Sequence, residues 1–214
     1  MAMSAMQVED QAMTFSRIAR RAVIAGAGML VAGPVFAQAK PKVEIQTGKG
    51  LMVLELEAAK APITVANFLR YVDTGRYDGA SIYRASRAPG APTIGIIEGG
   101  LQNDPTKLLP PIAHESTTMT GLAHVDGTIS MARDAPGTAT ADFFICCGEA
   151  SYLDAHPDAA GDNAGYAAFG TVIEGMDVAR VILALPTPGK ALNPAMQGQI
   201  LDPTVQIISM KRMT

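Results

Sequence analysis

A mainly β domain, an antiparallel barrel or sandwich, is the fold class this 214-residue chain predicts. Three observations carry that expectation. Short apolar segments either alternate with polar positions or stand between turn residues, in the manner of strands. Two stretches have helical spacing, and they lie far apart instead of alternating with strands. The composition, 48% hydrophobic and 17% charged, is that of a globular chain with a core.

The elements follow in order. Val43-Glu-Ile-Gln-Thr47 alternates, Gly48-Lys-Gly50 turns, and Leu51-Met-Val-Leu-Glu-Leu56 alternates again, which is a hairpin signature. Pro62 opens a helix from Ile63 to Val72, with Val65, Phe68, Leu69 and Val72 at helical spacing and Gly75 beyond its end. Thr128-Ile-Ser-Met131 and Phe143-Phe-Ile-Cys-Cys147 are short apolar runs bounded by turn residues, hence buried strands. Gly175 to Leu185 reads as a second helix stopped by Pro186, and Val205-Gln-Ile-Ile-Ser-Met210 returns as a final strand. The chain has no internal repeat and no low-complexity linker.

Residues 1–37 predict a secretory signal preceded by a short extension, leaving 38–214 as the folded domain. Arg17, Arg20 and Arg21 precede an uncharged run from Ala22 to Ala37, and Val35-Phe-Ala37 supplies the small-x-small pattern of a cleavage site. That order of charge and apolar run predicts export to the periplasm. A retained membrane anchor is the competing reading, for which the apolar run is short. Arg20-Arg21 leaves a twin-arginine route open.

Charge and cysteine usage narrow the function classes. With 17 basic and 20 acidic residues and no basic run after the N-terminal arginines, nucleic acid is not an expected partner. Cys146 and Cys147 are adjacent on a strand and point to opposite faces, so they read as two small buried hydrophobes. His114, His124 and His156 are spread along a polar loop, a strand edge and a turn, so no metal site is expected.

The motifs that carry chemistry come in a fixed order. Ile82-Tyr-Arg84 and Glu98-Gly-Gly100 precede Asp126-Gly-Thr-Ile-Ser-Met-Ala-Arg133, then Ala141-Asp-Phe-Phe-Ile-Cys146, Tyr152-Leu-Asp154 and Ala168-Phe-Gly170. Together they resemble the active-site segments of the cyclophilin-type peptidyl-prolyl isomerases, over roughly Val43 to Lys211. The resemblance implies an eight-stranded antiparallel barrel with its two ends covered by the two helices. It also implies an isomerase of Xaa-Pro bonds that works without a cofactor or metal, on proline-containing segments of folding exported proteins. A monomer is expected.

The reaction asks for one directed donor. Amide resonance sets a barrier of about 18–20 kcal/mol to rotation of a peptide bond. In the twisted transition state the proline nitrogen regains a basic lone pair, and a donor aimed at it stabilises that state above either ground state. A guanidinium suits the task because it stays charged and offers several donors. Arg84 stands where the family keeps its catalytic arginine. By the same resemblance Phe144 and Met131 form the floor of the proline pocket and Leu153 its wall, with Ala132, Arg133, Tyr152 and Tyr166 around it. Phe143, its neighbour's opposite on a strand, points into the barrel. Tyr152 matches a position often held by Trp in cyclosporin-sensitive members, so weak binding of that drug is expected.

Several positions depart from the family pattern. Glu98 stands in place of a glutamine before Gly-Gly, and Asp142 in place of the glutamine before Phe-Phe. Arg133 replaces an asparagine, Tyr166 a pocket histidine, and Gly95 aligns with the family's pocket phenylalanine. The segment between Arg84 and Ile97, with Pro89, Gly90 and Pro92, is read as a lengthened loop. A carboxylate accepts hydrogen bonds only. Glu98, with Asp142, is therefore expected to pair with Arg84, either orienting it or holding it away from proline. The second outcome would leave a weakly catalytic, proline-binding module or chaperone on the same fold.

Overall fold

The computed structural model describes residues 39–213 except 103. The expected secretory segment, 1–37, lies outside the described residues. The observed strands are β1 (Lys42–Thr47), β2 (Gly50–Leu56), β3 (Ser81–Ala88), β4 (Ala91–Gly100), β5 (Thr128–Met131), β6 (Phe143–Cys147), β7 (Ala167–Glu174) and β8 (Ile200–Arg212). They close into one antiparallel barrel in the order β1-β2-β7-β5-β6-β4-β3-β8. Closure leaves no unpaired sheet edge, which is what lets so many short strands form one stable sheet.

Among the described residues three α-helices accompany the barrel: α1 (Pro62–Asp73), α2 (Thr117–Thr120) and α3 (Met176–Leu183). α1 is the first helix the spacing predicts, with Pro62 at its start and Gly75, at φ 65°, just beyond its end. Its first turn is capped from afar. The buried Glu115 carboxylate accepts from Ile63 N at 3.1 Å, Thr64 N at 2.8 Å and Thr64 Oγ1 at 2.6 Å. A negative group at a helix N-terminus satisfies free N–H donors and opposes the helix dipole favourably. α3 begins one residue inside the expected span from Gly175 to Leu185 and ends two residues before its close; Gly175 itself takes the left-handed conformation at φ 83° and precedes the helix. α2 is a single turn that periodicity cannot reveal.

The barrel interior is apolar. Phe68 of α1 packs against Tyr77, Phe143 and Phe169 with ring centroids 5.4, 5.8 and 5.1 Å apart. Each such pair is worth roughly 0.5–1.5 kcal/mol beyond area burial. Buried Tyr77 keeps its hydroxyl satisfied by donating to the Ala141 carbonyl at 2.6 Å.

Two local expectations are corrected. The segment after Arg84 is not a lengthened loop: β3 and β4 continue as a hairpin to the pair Ala88↔Ala91. Pro89-Gly90 makes the turn, with Gly90 at φ 77° as a turn of that shape requires. The final strand begins at Ile200, five residues earlier than the alternation of Val205 onward indicates.

Candidate active site

The site sits on the outer face of four neighbouring strands, β5, β6, β4 and β3. Side chains alternate along each strand. On β4 Ile97 enters the barrel core while Ile96 and Glu98 line a pocket of about 200 Å³ on the other face. On β3 Ala85 faces the core, and Arg84 and Ser86 line the pocket. On β6 Phe143 and Ile145 face the core and Phe144 faces the pocket. Ala132, Arg133, Tyr152, Leu153 and Tyr166 complete the lining with Met196.

Arg84 and Glu98 are cross-strand partners in the β3–β4 ladder. The Arg84 Nη1 donates to Glu98 Oε2 at 2.6 Å, with the side chains 17% and 9% exposed. Glu98 Oε1 accepts from the Tyr83 hydroxyl at 2.9 Å. Burial, and then the charge of Glu98, hold the Tyr83 phenol protonated far above its ordinary range, so its hydrogen stays available for donation to the Glu98 carboxylate. The Arg84 Nε–H is taken by Gln199 Oε1 at 2.8 Å. Five N–H bonds minus these two leave donors over at the pocket, and Nη2 has no protein acceptor among the described residues.

The floor is Phe144, held on two sides. Its ring meets Tyr166 edge-on at 5.3 Å and 88°, and stacks near-parallel with His124 at 5.8 Å and 18°. Tyr166 is fixed in turn by Arg133, whose guanidinium carbon lies 4.9 Å from the ring centroid. Arg133 also clamps Asp162 through Nη1 at 2.6 Å and Nη2 at 2.9 Å, and donates from Nε to the Gly165 carbonyl at 3.0 Å. Such a bidentate pair with a cation–π contact orders the loop from residue 154 to 166.

His124 is wholly buried beneath this floor. Its Nδ1 is 2.6 Å from Asp154 Oδ1 and its Nε2 is 2.9 Å from Ser130 Oγ. Burial pushes the His124 imidazole below its ordinary value of 6.5, and Asp154 pulls only partly the other way. The neutral ring then donates from Nδ1 to Asp154 and accepts from the Ser130 hydroxyl. Asp154 Oδ1 also accepts from His124 N at 3.0 Å, tying the 151–154 turn that carries Tyr152 and Leu153 to the floor.

Arg84, Glu98, Ala132, Arg133, Phe144, Tyr152, Leu153 and Tyr166 are brought together as their motifs imply. Two expected members are not. Met131 is a core residue, 1% exposed, because its register partner is Phe143 and cross-strand partners share a face. Asp142 does not reach Arg84. Its Oδ1 accepts from Leu101 N at 2.6 Å and Gln102 N at 3.0 Å, clamping the turn after β4. Burial pushes the Asp142 carboxyl above the ordinary carboxylate value, against those two N–H donors. A Cβ on Gly100, at φ 141°, would strike Asp142 Oδ1, so the clamp needs glycine there.

Gly95 supplies no pocket side chain either. A Cβ there would run into the carbonyl oxygen of Ser86, and Ile96 lines the pocket next to it. Ser86, Ile96, Met196 and Gln199 escape the sequence reading, and Tyr83, His124 and Asp154, though they stand in it, carry no site role there. Alternation from Glu98 could have found Ile96 and alternation from Arg84 could have found Ser86. Gln199 carries no local signal.

Known proteins resemble this arrangement. The family model for cyclophilin type peptidyl-prolyl cis-trans isomerases matches residues 42–211. A peptidyl-prolyl cis-trans isomerase of Acinetobacter baylyi is 36% identical over 171 residues, covering 78% of this chain and 84% of that protein. One from Streptomyces antibioticus is 39% identical over 151 residues, covering 68% and 84%. A crystal structure of a Cryptosporidium parvum cyclophilin type isomerase superposes with TM-score 0.63 at 20% identity, covering 82% of this chain and 98% of that one.

Proposed function

This chain belongs to the cyclophilin-type peptidyl-prolyl cis-trans isomerase family, and we propose that Arg84 drives its turnover by donating to the proline nitrogen in the twisted amide. The observation that carries the proposal is the state of its guanidinium. Two of its nitrogens are held, by Glu98 and Gln199, and the remaining donors share a pocket with the apolar face of Phe144. A proline ring on Phe144 brings its nitrogen beside a donor that needs no reorganisation in the transition state.

The substrates are proline-containing peptide segments, and a solved cyclophilin of 21% identity was determined in the presence of the dipeptide Ala-Pro. Arg84 acts beside an apolar wall of Ile96, Ala132, Phe144 and Leu153, which suits a reaction that moves no proton and needs no nucleophile. Uncatalysed isomerisation takes tens of seconds at 25 °C, long enough to limit folding outside the cytoplasm. The charge and cleavage pattern of residues 1–37 supports a periplasmic role in folding exported proteins.

Exchange spectroscopy on an Ala-Xaa-Pro-Phe-type peptide tests the role of Arg84. The wild type should accelerate cis/trans exchange, and Arg84→Ala should lose roughly two to three orders of magnitude in kcat/KM while still unfolding cooperatively. Acceleration that survives in Arg84→Ala would remove the arginine from the mechanism. Line broadening from binding with no acceleration by either protein would leave a proline-binding module instead.

A further inference from the structure

Arg84 is anchored from a part of the chain 115 residues away, and that anchor differs in kind from Glu98. The segment between α3 and β8 folds back over the barrel rim through bonds of its own. Gly189 bridges to Ile200, Thr187 Oγ1 donates to the Gly198 carbonyl at 2.7 Å, and Asn193 Oδ1 accepts from Ala195 N at 3.0 Å. The backbone of Gln199 then meets the strand carrying the arginine, since Ala85 N donates to the Gln199 carbonyl at 2.9 Å.

The Gln199 side chain is fixed at both ends. Its Nε2 donates to the Ala195 carbonyl at 3.2 Å and its Oε1 accepts from Arg84 Nε at 2.8 Å. Only one orientation of the amide satisfies both partners, because a guanidinium can only donate and a carbonyl can only accept. Glu98 alone would hold one nitrogen and leave the guanidinium plane free to swing about it. A second acceptor on Nε fixes the plane, and it does so without a charge that would dilute the cation.

We propose that Gln199 is a positioning residue of the isomerase: it sets the plane of the Arg84 guanidinium so that the remaining donors face the pocket. The proposal rests on Arg84 being the catalytic donor. Its effect therefore falls on turnover and not on peptide affinity, since the apolar floor that holds proline is untouched.

Two variants and one spectroscopic signal test it in the full chain. Gln199→Leu removes both bonds of the side chain, whereas Gln199→Glu keeps an acceptor toward Arg84, loses the donor toward Ala195 and adds a negative charge, so it is read by the resonance and not by turnover. The Arg84 Nε–H resonance, assigned by its absence in Arg84→Ala, reports the anchor directly. Gln199→Leu should shift that resonance, speed its exchange with water, and lower kcat roughly tenfold, as loss of about 1.4 kcal/mol of transition-state stabilisation would, with KM within about twofold of wild type. Gln199→Glu should keep the resonance protected, since the acceptor toward Arg84 Nε remains. An unchanged resonance and unchanged kcat in Gln199→Leu would overturn the proposal. So would a resonance as unprotected in Gln199→Glu as in Gln199→Leu, which would make the bond to Ala195, and hence the shape of the segment, the cause. Should the wild type show no turnover at all, the catalytic role of Arg84 fails, and the resonance alone still decides whether Gln199 holds it.

Discussion

Phe143 and Phe144 are neighbours on one strand, yet they serve two different regions of the molecule. Phe143 enters the barrel and packs edge-on against Phe68 and Tyr77, with ring planes near 87° and 85°. Phe144 leaves the barrel and, held between His124 and Tyr166, forms the floor of the pocket. Both are almost fully buried, so burial does not separate them. What separates them is the company: the inner face meets only apolar atoms and the Tyr77 ring, while the outer face meets a neutral imidazole, a phenol and, further along, a charged pair. A strand with a two-residue period thus holds the core on one face and builds the site on the other, and each face responds to change in its own way.

The sharpest way to break this contrast is to truncate each ring in turn. Phe143→Ala should cost about 3–5 kcal/mol of stability, because the cavity it leaves is sealed inside the barrel. Phe144→Ala opens toward the pocket, where water can enter. Its stability loss in urea should be the smaller, while kcat/KM falls by at least about tenfold through KM, since the proline ring loses its floor. Equal unfolding midpoints for the two variants, or undiminished turnover in Phe144→Ala, would mean that the two faces are not divided in this way.

A smaller effect concerns the charged pair on the outer face. In Glu98→Gln the side-chain carbonyl can still accept from Arg84 Nη1, while the negative charge beside the guanidinium disappears. Turnover should rise by roughly two- to fivefold, in proportion to a gain below about 1 kcal/mol. Slower turnover would show that the carboxylate's firmer grip outweighs its dilution of the cation. No change would remove Glu98 from the account of activity.

The smallest effect lies in the acid response of the imidazole under the floor. His124 has a folded-state pKa below 6.5, set first by burial and opposed by Asp154. As pH falls through about 6.5 the unfolded chain takes up a proton that the folded chain refuses, so stability declines until the folded pKa is reached and then levels off. Above pH 6.5 the contribution is complete. The fall in the urea midpoint between pH 7.5 and pH 5 should therefore be shallower in His124→Asn than in wild type. Parallel declines in the two proteins would place the acid sensitivity elsewhere than His124, and not at Asp142, whose raised carboxyl takes up a proton more readily in the folded chain and so favours folding as pH falls.

Much of this molecule is written in local pattern. The alternation of residues 43–56, the Pro62 start and Gly75 stop of α1, and the short apolar runs of β5 and β6 are properties of neighbouring residues, so periodicity finds them. Arg84, Phe144 and Leu153 lie in motifs that survive as contiguous letters, and the fold brings them to one pocket. What the letters do not contain is register. Met131 falls in the core because it stands opposite Phe143, a relation between two strands that neither strand's sequence specifies. Asp142 turns to the backbone of Leu101 and Gln102 because those N–H groups lie within reach of its Oδ1, and Arg84 does not. Gln199 reaches Arg84 across 115 residues only once the barrel has closed β8 against β3. Hydrophobic period and turn chemistry act over a few residues and so fix the elements. Hydrogen bonds reach about 3 Å in any direction, so which side chains share them is decided only when distant strands come side by side.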